Sequence, residues 1–284
     1  MQVTSDEWQA RPLRHSVASR VPSFFTRHLP LVTRHFFLAS GFDMNILVTA
    51  GNTQVAIDQV RCLTNIFTGR TGAGIALESC KRGHRVSLVT SQPETVAERE
   101  APAEWRDRGT TIAYRTFEDL EGTMAELIAA RPWDAIIHAA AVSDYRAAGV
   151  FAPAPGTRFD DVRAIWTSAG DPPALFDRTA AKIKSDEPEL WLRLVRAPKL
   201  IDRVRDDWGF RGLLVKFKLE VGVTDAQLLE IAERSRRHSR ADWMVANTLE
   251  GAGEWAYLGP FTDGYHKVTR EELPGRLLSA LEHR

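Results

Sequence analysis

Apolar and polar positions along this chain fall into blocks whose lengths and periods mark strands and helices in turn. From residue 45, NILVTA is a short apolar run of the kind found in a parallel strand covered on both faces, and Gly51 ends it. A polar stretch of about twenty residues follows, far longer than the usual βα loop. Gly69, Gly72 and Gly74 then open a helix through Ile75, Ala76, Leu77 and Cys80 that runs to residue 82. A strand at residues 85–90, a polar helix around 94–108, a strand at 111–115, a helix near 117–130 and an apolar strand at 134–140 complete the first half. Residues 149–179 read as a long irregular Pro/Gly/Ala segment, and 189–195 alternate like a strand. Pro198 suits the first turn of the next helix. A strand at 212–220, a helix over 224–237 capped by Thr224 with Gln227, and a strand at 241–249 follow, and Thr269 with Glu272 caps a last helix to about residue 282. Strands separated by helices imply right-handed crossovers. The expected fold is α/β and Rossmann-like, a mostly parallel sheet with helices on both faces, in a single nucleotide-binding domain over residues 44–284.

In the stretch from residue 45 to 74 a strand feeds a glycine-rich helix entry, so unpaired backbone N–H groups and the positive end of a helix dipole converge on one point. Such a junction suits a phosphate. A standard dinucleotide fingerprint places its glycines directly after the strand, and this chain instead inserts a loop carrying Asp58, Arg61, Asn65 and Thr68. Ligands in open α/β sheets bind beyond the carboxyl ends of the strands, which gathers Gly51, Ala140, Ala141 and Asp144 at one crevice.

Charge and composition narrow the classes. The chain has 284 residues, with 37 basic against 37 acidic side chains, so its balance calls for neither nucleic acid nor an anionic membrane. No uninterrupted apolar stretch approaches the roughly 20 residues of a membrane helix. Cys62 and Cys80, without paired spacing, argue against a disulfide framework and a zinc site, and a reducing cytoplasm fits. No residue is assigned as a metal ligand. Residues 1–43 form a separate leader, with Arg11, Arg14, Arg20, Arg27 and Arg34, few acids and no sustained period. A start codon set too far upstream, a disordered arm and an organellar presequence all compete, and the first is favoured because the strand pattern begins at once after Met44.

Several residues carry two readings. Asn65 could hold an oxyanion without titrating, or form an Asx turn. Asp144 could bind a ligand or cap a helix. Lys182 and Lys184 share one face of an extended segment, where solvated lysines are the bland outcome; Lys216 and Lys218 pose the same question with Phe217 between them. His138, inside IIHAAA, reads as a core histidine, and Trp191, Trp208, Trp243 and Trp255 as packing.

Together the blocks ILVTAGNT, IDQVR, TNIFTGRTG, AAAVSDY, KIKS, APKL, FKLE and ADWMVAN, in that order, resemble phosphopantothenoylcysteine synthetase, in its stand-alone form. The resemblance implies a ligase of coenzyme A biosynthesis. Such an enzyme couples 4′-phosphopantothenate to L-cysteine through an acyl nucleotide, with release of pyrophosphate and nucleoside monophosphate. It implies CTP or ATP as cosubstrate, Mg2+, and a homodimer that completes each site from the neighbouring subunit. Carried over by position, Asn65 holds the acyl intermediate and Arg61 lies in the substrate-side loop. Gly51, Asp58, Thr68, Gly69, Gly72, Ala140, Ala141, Asp144, Phe217, Lys218 and Asn247 fall on nucleotide or substrate positions. Lys182 and Lys184 belong to a flap segment. The chain departs from the family pattern at Phe67, where a hydroxyl is expected, at Asn52, where a second glycine is, and at Ser235 and Ser239, where fused forms carry lysines. An NAD(P)-dependent short-chain oxidoreductase is the alternative enzyme, although Tyr145 is followed four residues on by Gly149 rather than lysine. A non-catalytic nucleotide-binding descendant of the ligase is the other.

Overall fold

A computed structural model describes residues 43–170, 172–180, 182–184 and 186–283. Apart from Asp43, the leader lies outside the described residues. The first strand, β1 (Asn45–Ala50), is followed by a small hairpin, β2 (Gln54–Ala56) with β3 (Cys62–Thr64), set within what the sequence presents as a polar loop. Helix α1 (Arg70–Lys81) and strand β4 (Arg85–Thr90) come next. The polar helix expected around 94–108 is two short ones, α2 (Glu94–Glu98) and α3 (Trp105–Arg108), because Pro102 disfavours helix at the residue before it.

Strand β5 (Gly109–Ala113) starts two residues before the expected 111–115. Pairing with β4, Val86 opposite Gly109 and Thr90 opposite Ala113, fixes its ends. The Thr116 hydroxyl accepts the Asp119 N–H, the Asp119 carboxylate accepts the Thr116 N–H, and this box starts α4 (Phe117–Ala130). Strand β6 (Ala135–His138) leads into β7 (Tyr145–Pro153). The segment read as irregular, 149–179, therefore contains the second half of β7 together with β8 (Thr157–Asp160), β9 (Ile165–Ser168) and β10 (Leu175–Asp177). β8 and β9 form a local hairpin, while β7 and β10 are ordered by partners farther along the chain. β10 and β11 (Trp191–Arg196) flank β7 in an antiparallel three-stranded sheet, and Phe159, Trp166 and Trp191 pack ring to ring at 4.6 to 5.2 Å.

Helix α5 (Leu200–Asp206), strand β12 (Leu213–Glu220) and helix α6 (Asp225–His238), whose Thr224–Gln227 box is as read from the sequence, precede β13 (Trp243–Thr248). An antiparallel hairpin that the pattern did not mark, β14 (Trp255–Phe261) and β15 (Gly264–Thr269), leads to α7 (Leu273–Glu282). Thr269 and Glu272 do pair, by way of the Thr269 N–H at 3.0 Å and its hydroxyl at 2.8 Å, yet they shape the turn before the helix rather than its first residue.

Among the described residues the central sheet has eight strands in the order β15-β14-β13-β12-β6-β1-β4-β5, parallel from β13 to β5. It is the mostly parallel α/β architecture expected. Alternate residues serve opposite faces: Ile46, Val48 and Ala50 pack with Ile75, Ala76, Leu277 and Leu278 of α1 and α7. Leu47, Ile136 and Leu214 pack with Leu120 and Met124 of α4 and Leu200 and Val204 of α5. Met244 and Ala246 meet Leu228 and Ala232 of α6. Burying a side chain such as Ile46 or Leu120 contributes about 1.5–3 kcal/mol, which holds β1 rigidly at the centre of the sheet.

Candidate active site

The site is built where β1 stops. Gly51 turns the chain at φ 81°, and Gly69, the N-cap of α1, sits at φ 74° directly against it: a Cβ on Gly69 would lie 2.5 Å from the Gly51 nitrogen. Inside the first turn, a Cβ on Gly72 would meet the Ala50 Cβ at 2.6 Å. These contacts press the start of α1 onto the end of the central strand, and only residues without a side chain allow it. No side chain caps α1 and its first turn contains no acid, so its leading N–H groups and dipole are open to an anion.

A cavity of about 410 Å³ opens there. Of the residues singled out in the sequence, Gly51, Thr68, Gly69, Gly72, Ala140, Ala141, Phe217, Lys218 and Asn247 line it. The Lys218 ammonium is paired with Glu220 at 2.8 Å. Asn65 lies just outside. Its Nδ2 donates to the carbonyl of cavity-lining Ala141 at 3.0 Å, which makes it a fixed amide rather than an Asx turn and leaves its second N–H free of that bond.

Asn52, noted as a departure, has a structural duty. Its buried side chain donates from Nδ2 to the carbonyls of Asn65 at 2.6 Å and Phe67 at 2.9 Å, and its Oδ1 accepts the Ser91 hydroxyl at 3.1 Å. One residue thus ties the returning loop to the strand end. Phe67 itself forms part of the cavity wall.

Asp58, Arg61, Lys182 and Lys184 form a second group, outside the lining of that cavity. The Asp58 carboxylate accepts from Arg61 at 2.6 Å and from the Val60 and Arg61 N–H groups at 2.8 and 2.7 Å. These bonds, the Arg61 guanidinium first, hold it well below the usual carboxylate range. Its Oδ2 also accepts the Ile183 N–H at 3.2 Å, while Arg61 donates to the Ile183 carbonyl at 3.1 Å. Ile183 is buried and the lysines on either side are exposed. Asp144 caps no helix, because the chain passes from it into β7; its carbonyl accepts the Ala197 N–H at 2.8 Å and its side chain is exposed.

Ser235 and Ser239 face away from the cavity. Lys216, buried on the α5 and α6 side of β12, donates to the Ser235 carbonyl at 3.2 Å and the Ser239 hydroxyl at 2.5 Å, and Ser239 donates on to Asp202 at 2.7 Å. Burial, opposed by the Asp202 charge, brings the Lys216 ammonium down to about 8. His138 is the core histidine expected, bonded to the Thr49 hydroxyl at 2.9 Å and lowered to about 4 by burial and by Lys216.

The sequence reading passed over Arg270 and Thr71, which also line the cavity. Arg270 stands among charged residues in VTREE and nothing local distinguishes it; the unmarked β14–β15 hairpin delivers it to the start of α1.

Comparisons with known proteins bear on the fold and family. Residues 42–153 match the family described as the DNA/pantothenate metabolism flavoprotein C-terminal domain. The Coenzyme A biosynthesis bifunctional protein CoaBC of Thermococcus kodakarensis is 29% identical over 243 residues, 84% of this chain and 50% of that protein. Its Methanocaldococcus jannaschii counterpart is 24% identical over 72% of this chain and 40% of its own length, so the chain spans half or less of these relatives. Among solved structures, a DNA/pantothenate metabolism flavoprotein from Streptococcus pneumoniae superimposes with a TM-score of 0.63 at 27% identity, covering 84% of this chain and 98% of that one. A Cab2 mutant in complex with phosphopantothenate-cysteine shares the fold, with a TM-score of 0.58 at 15% identity over 84% of this chain and 86% of that one. The chain is thus similar over most of its length to about half the length of the coenzyme A biosynthesis bifunctional proteins, and its residues 42–153 match the DNA/pantothenate metabolism flavoprotein C-terminal domain family.

Proposed function

We propose that this chain is a phosphopantothenate–cysteine ligase. A carboxylate oxygen of 4′-phosphopantothenate attacks the α-phosphorus of CTP or ATP, the bond to the bridging oxygen breaks, and pyrophosphate leaves with the electron pair. The amine of L-cysteine then attacks the acyl carbon, nucleoside monophosphate departs, and the new ammonium loses its proton. The observation that carries this reading is the uncapped N-terminus of α1 opening into the cavity of about 410 Å³, with the Asn65 amide fixed one residue layer away. Activation moves negative charge onto phosphate and acyl oxygens, and oriented N–H groups that need no reorganisation stabilise it.

In this reading Gly51, Thr68, Gly69, Gly72, Ala140, Ala141, Phe217, Lys218 and Asn247 receive the nucleotide. Asn65 holds the acyl oxygen, Asp144 contacts the nucleotide from the rim, and Lys182 and Lys184 close over the phosphates from a segment that Asp58 and Arg61 anchor. Among the described residues no three or more His, Cys, Asp or Glu gather to hold a metal ion. Mg2+ would arrive on the triphosphate, where it would neutralise phosphate charge and keep most of its waters.

We also propose a homodimer in the cytoplasm. Val60, Leu63, Ile66, Phe176 and Leu194 are exposed apolar side chains that a second copy would cover, and sedimentation at micromolar concentration reads the outcome. No described helix is long and apolar enough to cross a membrane.

The test is pyrophosphate release measured with CTP and with ATP. Release that requires 4′-phosphopantothenate, followed by a cysteine-dependent product of the ligated mass, is expected. Absence of release with both nucleotides would remove the assignment and leave a nucleotide-binding descendant.

A further inference from the structure

Arg270 lies one residue beyond β15, where its N–H donates to the Glu254 carbonyl at 2.9 Å. Its guanidinium crosses to α1 and Nη2 donates to the Thr71 hydroxyl. Nη1 is shut off from solvent and has no hydrogen-bond partner among the described residues. A guanidinium stays charged at any ordinary pH, so this is a desolvated cation with half its fork unused. The carboxylates beside it in sequence do not neutralise it: Glu272 accepts from Thr269 through both backbone and hydroxyl, and Glu271 is exposed. Burial pulls the Arg270 pKa down, with no carboxylate acting in the other direction.

A partly buried cation whose Nη1 is cut off from water and unpaired is costly unless something anionic arrives. Arg270 lines the cavity of about 410 Å³ and also an adjoining cleft of about 700 Å³, and Arg70, Thr71 and Ala252 border both. Arg270 thus stands where the two spaces meet, beside the uncapped start of α1.

We propose that Arg270 is a phosphate-binding residue of this site: on ligand binding its guanidinium turns, and Nη1, unpaired in the ligand-free protein, takes the terminal phosphates of the nucleoside triphosphate. The inference rests on the ligase reading for the nucleotide itself, and adds that triphosphate is told from monophosphate by a residue of the C-terminal hairpin. A guanidinium fork matches two phosphate oxygens at once. Inorganic tripolyphosphate, which carries the anion without a base or sugar, binds at the same place.

Calorimetric titrations of the full chain and of Arg270→Met and Arg270→Lys, with inorganic tripolyphosphate, CTP, ATP, CMP and AMP, test this. In Arg270→Met, tripolyphosphate and the nucleoside triphosphates weaken about 10- to 150-fold, the range of a charged hydrogen bond, while the monophosphates change less than twofold. Removing an unpaired buried charge does not lower the melting temperature of the ligand-free variant. Arg270→Lys recovers part of the triphosphate affinity, since lysine restores charge without the fork. Arg270→Met that binds triphosphate as the native chain does overturns the proposal. So does a variant that melts earlier or fails to fold and loses mono- and triphosphates alike, which makes Arg270 a tie between hairpin and helix. A native chain that binds neither nucleotides nor tripolyphosphate overturns the nucleotide reading as well, so the two failures are distinguishable.

Discussion

The two regions that the ligase reading assigns to phosphate handling are built in opposite ways. At the start of α1, Gly51, Gly69 and Gly72 press backbone against backbone, and Asn52 adds side-chain bonds to the loop above. Among the described residues, the segment holding Lys182 and Lys184 is retained by the Asp58 carboxylate and Arg61 guanidinium on the two backbone groups of Ile183, by the buried Ile183 side chain and by the Arg178–Glu187 ion pair that spans it. Fixed dipoles stabilise developing charge only if they are already in position, so they belong on the rigid core. Mobile ammonium groups serve a closing segment better, because a lysine follows a phosphate as its bonds change.

The contrast bears first on folding. Gly72→Val forces a side chain into the Ala50 Cβ, and overpacking with a backbone shift costs about 1–3 kcal/mol or more; urea unfolding measures it, and nucleotide binding falls with it. Asn65→Ala separates chemistry from stability. Its turnover falls about 10²–10³-fold, a barrier increase of about 2.7–4 kcal/mol, while the lost bond to Ala141 costs roughly 1 kcal/mol of stability. Near-normal turnover in this variant would detach Asn65 from the reaction.

Legibility in the sequence followed the same division. Blocks such as ILVTAG and IIHAAA belong to strands buried on both faces, where composition and period suffice, and the glycines announce the helix entry without any partner. Between Tyr145 and Asp177, β7 is ordered by β11, some forty residues on, whereas β8–β9 and β14–β15 are local hairpins that the pattern did not mark. A mixture of Gly, Pro and Ala gives no period for that. Arg270 was hidden for the same reason, since its meaning depends on a hairpin that carries it to Thr71. Asn52 looked like a cost at a glycine position, and only its distances to the Asn65 and Phe67 carbonyls disclose a brace.

A pH measurement probes the rigid region from the other side of the sheet. In the unfolded chain a lysine titrates near 10.4, and in the fold Lys216 titrates at about 8. Between those values the unfolded chain holds a proton that the folded one has lost, so stability rises with pH from 8 to about 10.4. Lys216→Met removes that rise, on the order of 2 kcal/mol, as the difference between the two stability curves. His138, at about 4 against an unfolded value near 6.5, likewise makes stability rise with pH over that lower window.

The smallest structural effect lies in the segment holding Lys182 and Lys184. Lys182→Gln and Lys184→Gln leave the unfolding free energy within about 0.5 kcal/mol, because both side chains are exposed, and still reduce turnover. Native kinetics in both variants would return these lysines to the solvated surface and dissolve the division of labour between the two regions.

The acyl nucleotide is tested most directly by isotope transfer. With both carboxylate oxygens of 4′-phosphopantothenate labelled with oxygen-18, a single turnover with nucleoside triphosphate and L-cysteine should place one labelled oxygen in the phosphate of the nucleoside monophosphate, and none in pyrophosphate. Label in orthophosphate beside a nucleoside diphosphate, or ligated product formed with no label in any phosphate, would contradict attack on the α-phosphorus at this site.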